Sequence, residues 1–168
     1  TYGLGELLAK WNVKLDGDIV IEPRYIQIGE KVGLLGNPLE VYVEDYVAHP
    51  ITNSLKGVGT VFPGSRSVRA LNTKGGVDLP RVANLIETTK AAYGETSVAD
   101  YKNGKLKPDE GVDLKGPLAV AVAVESGAPG SDVNLGNTRV VLVGNSLGVT
   151  NGGGVEGNVT FTANAINW

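Results

Sequence analysis

The residues with the clearest chemical potential are Gly144-Asn145-Ser146-Leu147-Gly148, a G-x-S-x-G pattern directly after the apolar run Val140 to Val143. In α/β-hydrolases this pattern holds a nucleophilic serine on a sharp strand-to-helix turn. The serine then needs a base and a third group that orients the base. The sole histidine, His49, precedes Ser146 by almost a hundred residues, whereas that fold places its histidine after the serine. Val149-Thr150-Asn151-Gly152-Gly153-Gly154 is a poor helix start, and few residues remain beyond it. The pattern therefore reads as a glycine-rich loop leaving a strand, with a serine hydrolase using Ser146 as the less favoured alternative.

The other reactive side chains are scattered. His49 lies before Pro50, which holds it extended, and Thr52 or Asn53 can cap the following turn. A lone histidine in such a turn reads first as a hydrogen-bonding residue. Arg66, between Ser65 and Ser67 after a strand, suits an anion or a loop carbonyl, and the carbonyl anchor is favoured. Glu87, Glu95, Asp109 and Asp113 lack the pairing of glycosidase carboxylates. Gly33 to Gly36 and Gly152 to Gly154 lack the Lys-Ser/Thr of a phosphate loop. With no Cys, no Met and one His, nothing has metal-ligand spacing, and no cofactor is expected.

These residues must be positioned by short elements. Leu4, Leu7, Leu8 and Trp11 repeat as one face of an amphipathic helix. Strands are expected at Ile19 to Ile21, Tyr25 to Val32, Val41 to Val47 and Val58 to Phe62. Arg81 to Thr89 favours strand over helix, and Leu118 to Val124 is the most apolar strand. Residues 69–80 read as a loop or hairpin tip, 91–113 as a long polar connection, and 126–137 as a turn region. Val159, Thr162, Ala163 and Ile166 place a helix over Asn158 to Trp168 that stops in mid-pattern. Unbroken Val/Leu/Ala runs are the pattern of strands buried on both faces, so the expected fold is a single α/β domain with a mixed, mostly parallel sheet flanked by helices.

At 168 residues, with 42% hydrophobic and 20% charged residues, the chain has the composition of a globular domain with a substantial core. A net charge of -3 without long runs of one sign, and only two Phe and two Trp, argue against nucleic acid as a partner. No apolar run approaches the ~20 residues of a membrane span. The absence of an initiator Met suggests a fragment.

Several pieces, in order, resemble one family. They are Leu4-x-x-Leu7-Leu8-x-x-Trp11, Tyr46-x-x-His49-Pro50-Ile51-Thr52, Phe62-Pro63-x-Ser65-Arg66 and Thr88-x-x-x-x-Tyr93-Gly94-Glu95-Thr96. Asp113-x-x-Gly116-Pro117-Leu118-Ala119-Val120-Ala121, Arg139 to Gly144 and Gly157-Asn158-x-x-Phe161-x-x-Asn164-x-Ile166-Asn167-Trp168 follow. Together they resemble the auxiliary component of uncharacterised ABC-type transport systems, including gliding-motility-associated auxiliary proteins. The family's acidic Gly-Asp-Ser-Asp-type loop is replaced here by Gly144-Asn145-Ser146-Leu147, so a role in holding a charged ligand does not carry over.

The resemblance implies the later part of an extracytoplasmic (periplasmic) region, tethered at the inner membrane by a helix beyond Trp168 and without a known reaction. The expected partner is an ABC permease or another auxiliary subunit, bound by a non-enzymatic binding or scaffolding domain. A small-ligand module for a sugar or peptide is the alternative. The expected contacts are His49, Pro50, Thr52, Asn53, Arg66, Thr88, Glu95, Asn145, Ser146 and Asn151, all at strand ends.

Overall fold

The computed structural model describes residues 3–72, 79–127, 138–150 and 155–168. Its centre is a three-stranded antiparallel sheet in the order β12-β11-β8, formed by β8 (Arg81–Glu87), β11 (Ala119–Ser126) and β12 (Thr138–Val143). Around it lie α1 (Leu4–Lys10), the pair β1 (Val13–Leu15) with β7 (Val68–Ala70), and the pair β5 (Glu40–Val43) with β6 (Thr60–Pro63). A second three-stranded sheet joins β2 (Ile19–Ile21), β9 (Tyr93–Glu95) and β10 (Leu114–Lys115). The hairpin β3 (Tyr25–Ile28) and β4 (Lys31–Leu34) pairs with no other described strand. α2 (Val98–Lys102) and α3 (Glu156–Asn167) complete the described elements, with single 3-10 turns at Asn53–Leu55 and Leu147–Val149.

Every described ladder is antiparallel, which corrects the expected mostly parallel sheet flanked by helices. The apolar runs misled because burial on both faces does not require crossover helices. β11 is buried from Ala119 to Val124 because two separate clusters cover it. Val120, Ala121 and Ala123 face one cluster, with Phe62, Leu85 and Phe161. Ala119, Val122 and Val124 face the other, with Leu8, Val13 and Val68. A register shift against β8 between Ala119 and Val122 lets Val120 and Ala121 turn to the same side. Residues 127–137 alone separate β11 from β12, fewer than a parallel crossover requires.

The expected strand over Tyr25 to Val32 is instead a hairpin that turns at Gly29-Glu30. Gly29 has φ +63°, which suits the first central position of a two-residue hairpin loop. The long polar stretch after Ala91 contains β9 and α2, and Ser97 caps α2 by accepting from the Asp100 N–H at 3.2 Å. α1 buries Leu8 and leaves Leu4 and Leu7 exposed. α3 turns Gly157, Asn158 and Phe161 inward, so the exposed flank carries Val159 and Ile166. Phe161 meets Phe62 edge-on, with ring centroids 5.9 Å apart.

Candidate functional site

The residues singled out by the sequence fall into three groups on different elements. The first lies where β6, β12 and α3 converge. The Arg66 backbone N–H donates to the Gly144 carbonyl at 3.0 Å, and its Nε donates to the Asp16 carbonyl at 2.6 Å. Asn145 accepts from the Gly148 N–H at 2.7 Å and donates through Nδ2 to the Pro63 carbonyl. Both glycines of the G-x-S-x-G pattern are fixed by packing. A Cβ on Gly144 would run into the Arg66 carbonyl oxygen, and one on Gly148 would lie 2.8 Å from the Phe62 ring. The strand leads into a single 3-10 turn, not the α-helix of a nucleophile elbow, and Ser146 is exposed. Asn151 lies outside the described residues.

Asn158, which the sequence places in the last helix and in the last of the resemblance motifs but not among the candidate site residues, holds this junction together. Its Oδ1 accepts from the Val61 N–H at 2.9 Å, while Nδ2 donates to the carbonyls of Val61 at 2.9 Å and Gly148 at 2.8 Å. The buried amide thus substitutes for a neighbouring strand along β6 and fastens the 3-10 turn to α3. Its signal in the sequence is a polar residue three positions before Phe161, on the inward face of α3.

The second group surrounds His49. Its Nδ1 accepts the Ile51 N–H at 3.2 Å, and its ring meets Trp168 edge-on at 4.9 Å. The His49 carbonyl accepts from the N–H groups of Thr52 and Asn53, and Thr52 Oγ1 donates to the Val47 carbonyl at 2.5 Å. Pro50 belongs to the same tight turn, and Asn164 of α3 donates from Nδ2 to the Ile51 carbonyl at 2.8 Å. Arg139 stacks over Trp168 at 4.9 Å and pairs with Glu125 at 3.3 Å. Burial lowers the His49 pKa; Glu125 opposes this and Arg139 reinforces it. The imidazole is therefore neutral at pH 7, and the nitrogen nearest the backbone is already engaged.

The third group is made of buried acids and hydroxyls around β2 and β9. Thr88 Oγ1 accepts from the Leu118 N–H at 2.8 Å, and Glu95 Oε1 accepts from the Ser97 N–H at 2.7 Å. Glu22 receives both the N–H and the hydroxyl of Thr89, at 2.9 and 2.6 Å. Asp18 accepts from the Ser67 N–H at 3.0 Å and lies against Gly94, where no side chain would fit. Asp113 accepts from Thr96 and from the Asp109 N–H. Burial opposes ionisation of Asp113, but those donors outweigh it and hold the carboxyl below its usual range. Burial, with the charges of Glu95 and Asp113, pushes the Tyr93 hydroxyl up to about 12. Acids flanking an apolar triplet, Asp18-Ile-Val-Ile-Glu22, were the available signal.

The structure therefore joins Arg66 to Asn145 and the Gly144 loop, and joins His49 to Thr52 and Asn53, while Thr88 and Glu95 serve elsewhere. Their side chains mostly satisfy the backbone. Among the described residues no three His, Asp or Glu side chains are grouped to hold a metal ion. A cleft of about 1030 Å³ lies elsewhere, over the side of β7 and β8. Ser67, Arg69, Arg81, Asn84, Glu87 and Lys115 are among its lining residues. No described helix is long and apolar enough to cross a membrane. No protein-family model, curated protein or solved structure matches the chain.

Proposed function

We propose that this chain is a non-enzymatic docking domain, the extracytoplasmic scaffolding portion of an ABC transporter auxiliary subunit. Its partner is the permease or a second auxiliary subunit. The ordered motif set supports the family assignment, and one structural observation carries the docking role. The β3–β4 hairpin presents apolar side chains on both faces: Tyr25, Ile28 and Val32 are 62%, 67% and 70% exposed, beside Ile26, Leu34 and Leu35. An isolated two-stranded hairpin is at best marginally stable in water, and an exposed apolar cluster of this kind marks an interaction surface. The polar residues first considered for chemistry are meanwhile largely engaged in holding loops.

The test is purification of the full-length gene product, from its own membranes in mild detergent, carrying Val32→Asp or Ile28→Asp. Retention of a transporter permease or auxiliary subunit by the wild type, lost in both variants, supports the reading. Equal recovery with wild type and variants, or no transporter component at all, overturns it.

One observation favours a second reading, the small-ligand module. The cleft over β7 and β8 combines an opening of about 1030 Å³ with cationic, anionic and amide side chains. A sugar or peptide that binds only the folded chain raises its melting temperature by mass action. A flat response across sugar and peptide panels removes this reading.

A further inference from the structure

The cleft over β7 and β8 is long and has an apolar floor. Val68, Val82 and Ala119 line it, and all three belong to the cluster with Leu8 and Val13 that covers one side of β11. Arg81 and Glu87 also line it and stand at the two ends of β8, about 20 Å apart at ~3.3 Å per residue. Its volume of about 1030 Å³ is at the upper end of the range usual for ligand sites. Ser67 lies in the lining although it is only 2% exposed, and its hydroxyl has no hydrogen-bond partner among the described residues. Buried polar atoms are ordinarily paired, so this hydroxyl is a group with bonding capacity to spare.

Positive charge is concentrated at one end. Asn12 donates from Nδ2 to the carbonyls of Asn72 at 3.1 Å and Pro80 at 3.2 Å, which draws the end of β7 to the start of β8. Arg69 and Arg81 therefore stand at the same end of the cleft. Each shares its carboxylate with a second cation. Asp16 pairs with Lys14 and with Arg69, both at 2.8 Å, and Glu125 pairs with Arg81 at 3.2 Å and Arg139 at 3.3 Å. One positive charge is left over at each acid, in a chain whose net charge is -3. The other end carries Glu87 and Lys115, whose charges cancel.

We infer, on the small-ligand reading of this cleft, that its ligand is a short extended peptide held by a free C-terminal carboxylate. Arg69 and Arg81 take the carboxylate, which the planar guanidinium fork matches with two parallel hydrogen bonds. A length of about 20 Å accommodates about six extended residues. Aliphatic side chains of the peptide rest on Val68, Val82 and Ala119. Its backbone meets the Ser67 hydroxyl and the Asn84 amide, of which Glu87 occupies one N–H at 2.7 Å. A sugar fits less well, because among the described lining residues there is no aromatic ring on which its apolar face could stack.

NMR titration of the chain with two pools of acetylated hexapeptides tests the inference. Both pools carry alanine, serine, valine and leucine at random, and one ends in free carboxylates while the other ends in amides. The acid pool is expected to shift the backbone N–H signals of Ser67, Asn84 and Lys115 with an apparent dissociation constant below about 1 mM. The amide pool is expected to bind at least about 10-fold more weakly. Arg69→Gln and Arg81→Gln change half-exposed side chains, and each is expected to weaken the acid pool about 10-fold. Lys102→Glu, on α2, is expected to leave binding unchanged. Circular dichroism establishes that each variant is folded. Equal binding of the two pools, or acid-pool binding that survives both arginine changes, overturns the inference while the cleft remains a ligand site. Binding of sugars with neither pool bound does the same. A chain that binds neither pool nor any sugar overturns the inference and the small-ligand reading together.

Discussion

Replacing Asn158 by alanine is the most informative single perturbation of the fold. The side chain is buried and makes three hydrogen bonds of 2.8–2.9 Å, one to the N–H and one to the carbonyl of Val61 and one to the carbonyl of Gly148. Removing it leaves those backbone groups without partners in a closed junction. A buried polar group left unpaired costs about 1–3 kcal/mol, so three give a loss of about 4 kcal/mol when partial relaxation is allowed for. Against a typical stability of about 5–15 kcal/mol this is a large fraction. For a chain of this length it corresponds to a fall in Tm of about 8–16 °C.

Asn158→Asp should do at least as much damage, since it keeps the acceptor, loses both donors and buries a charge. Asn164→Ala is the contrast. Its Nδ2 bonds to the Ile51 carbonyl and to Ser54 Oγ lie nearer the surface, and about 1 kcal/mol is expected. Urea unfolding followed by fluorescence and circular dichroism measures all three. If Asn158→Ala lies within about 1 kcal/mol of wild type, the amide is not the fastener described above.

Four further outcomes follow from the same contacts. Gly144→Ala drives a Cβ into the Arg66 carbonyl and should cost at least about 2 kcal/mol in urea unfolding, whereas Gly17→Ala, where nothing lies in the way, should cost little. Because the folded-state pKa of His49 is lowered, the unfolded chain binds the extra proton. Its contribution is therefore complete above about pH 6.5 and is lost as pH falls below that value, and His49→Asn should flatten the urea midpoint between pH 8 and 5. Asp113→Ala should speed amide exchange at Thr96 and Asp109 while leaving β11 protected, since the carboxylate bonds both of those N–H groups. A serine-directed fluorophosphonate probe should give no labelling that Ser146→Ala abolishes.

Part of this architecture was legible in the sequence. The apolar runs located β8, β11 and β12 closely, and the spacing of Leu4, Leu7, Leu8 and Trp11 and of Val159, Thr162, Ala163 and Ile166 placed α1 and α3. Strand direction was not legible, because Val and Ala runs report burial and not the orientation of a neighbour. β11 is buried between two side-chain clusters supplied by distant short strands and by α1 and α3, which no local pattern reveals. The hairpin turn was marked by Gly29-Glu30, yet Tyr25 to Val32 reads as one strand unless the turn chemistry is weighed above the β-propensity on either side.

The helix period predicted a face at Val159, Thr162 and Ile166, whereas Gly157 and Asn158 pack inward because β6 requires a close backbone approach and an amide partner there. For the candidate site, Arg66 donates to the Asp16 carbonyl, the loop anchor that its fixed guanidinium fork suggested. The buried acids Asp18, Glu22 and Asp113 were invisible individually, since acidic residues are ordinarily exposed.

The central claim, that the apolar hairpin is a docking surface, is tested most directly by a photo-crosslinking amino acid placed at Val32 in the full-length protein in its native cells. The account predicts one dominant adduct with a transporter permease or auxiliary subunit, lost when Ile28 is changed to Asp. Absence of any protein adduct at Val32, with the same probe at Lys102 equally silent, would contradict it.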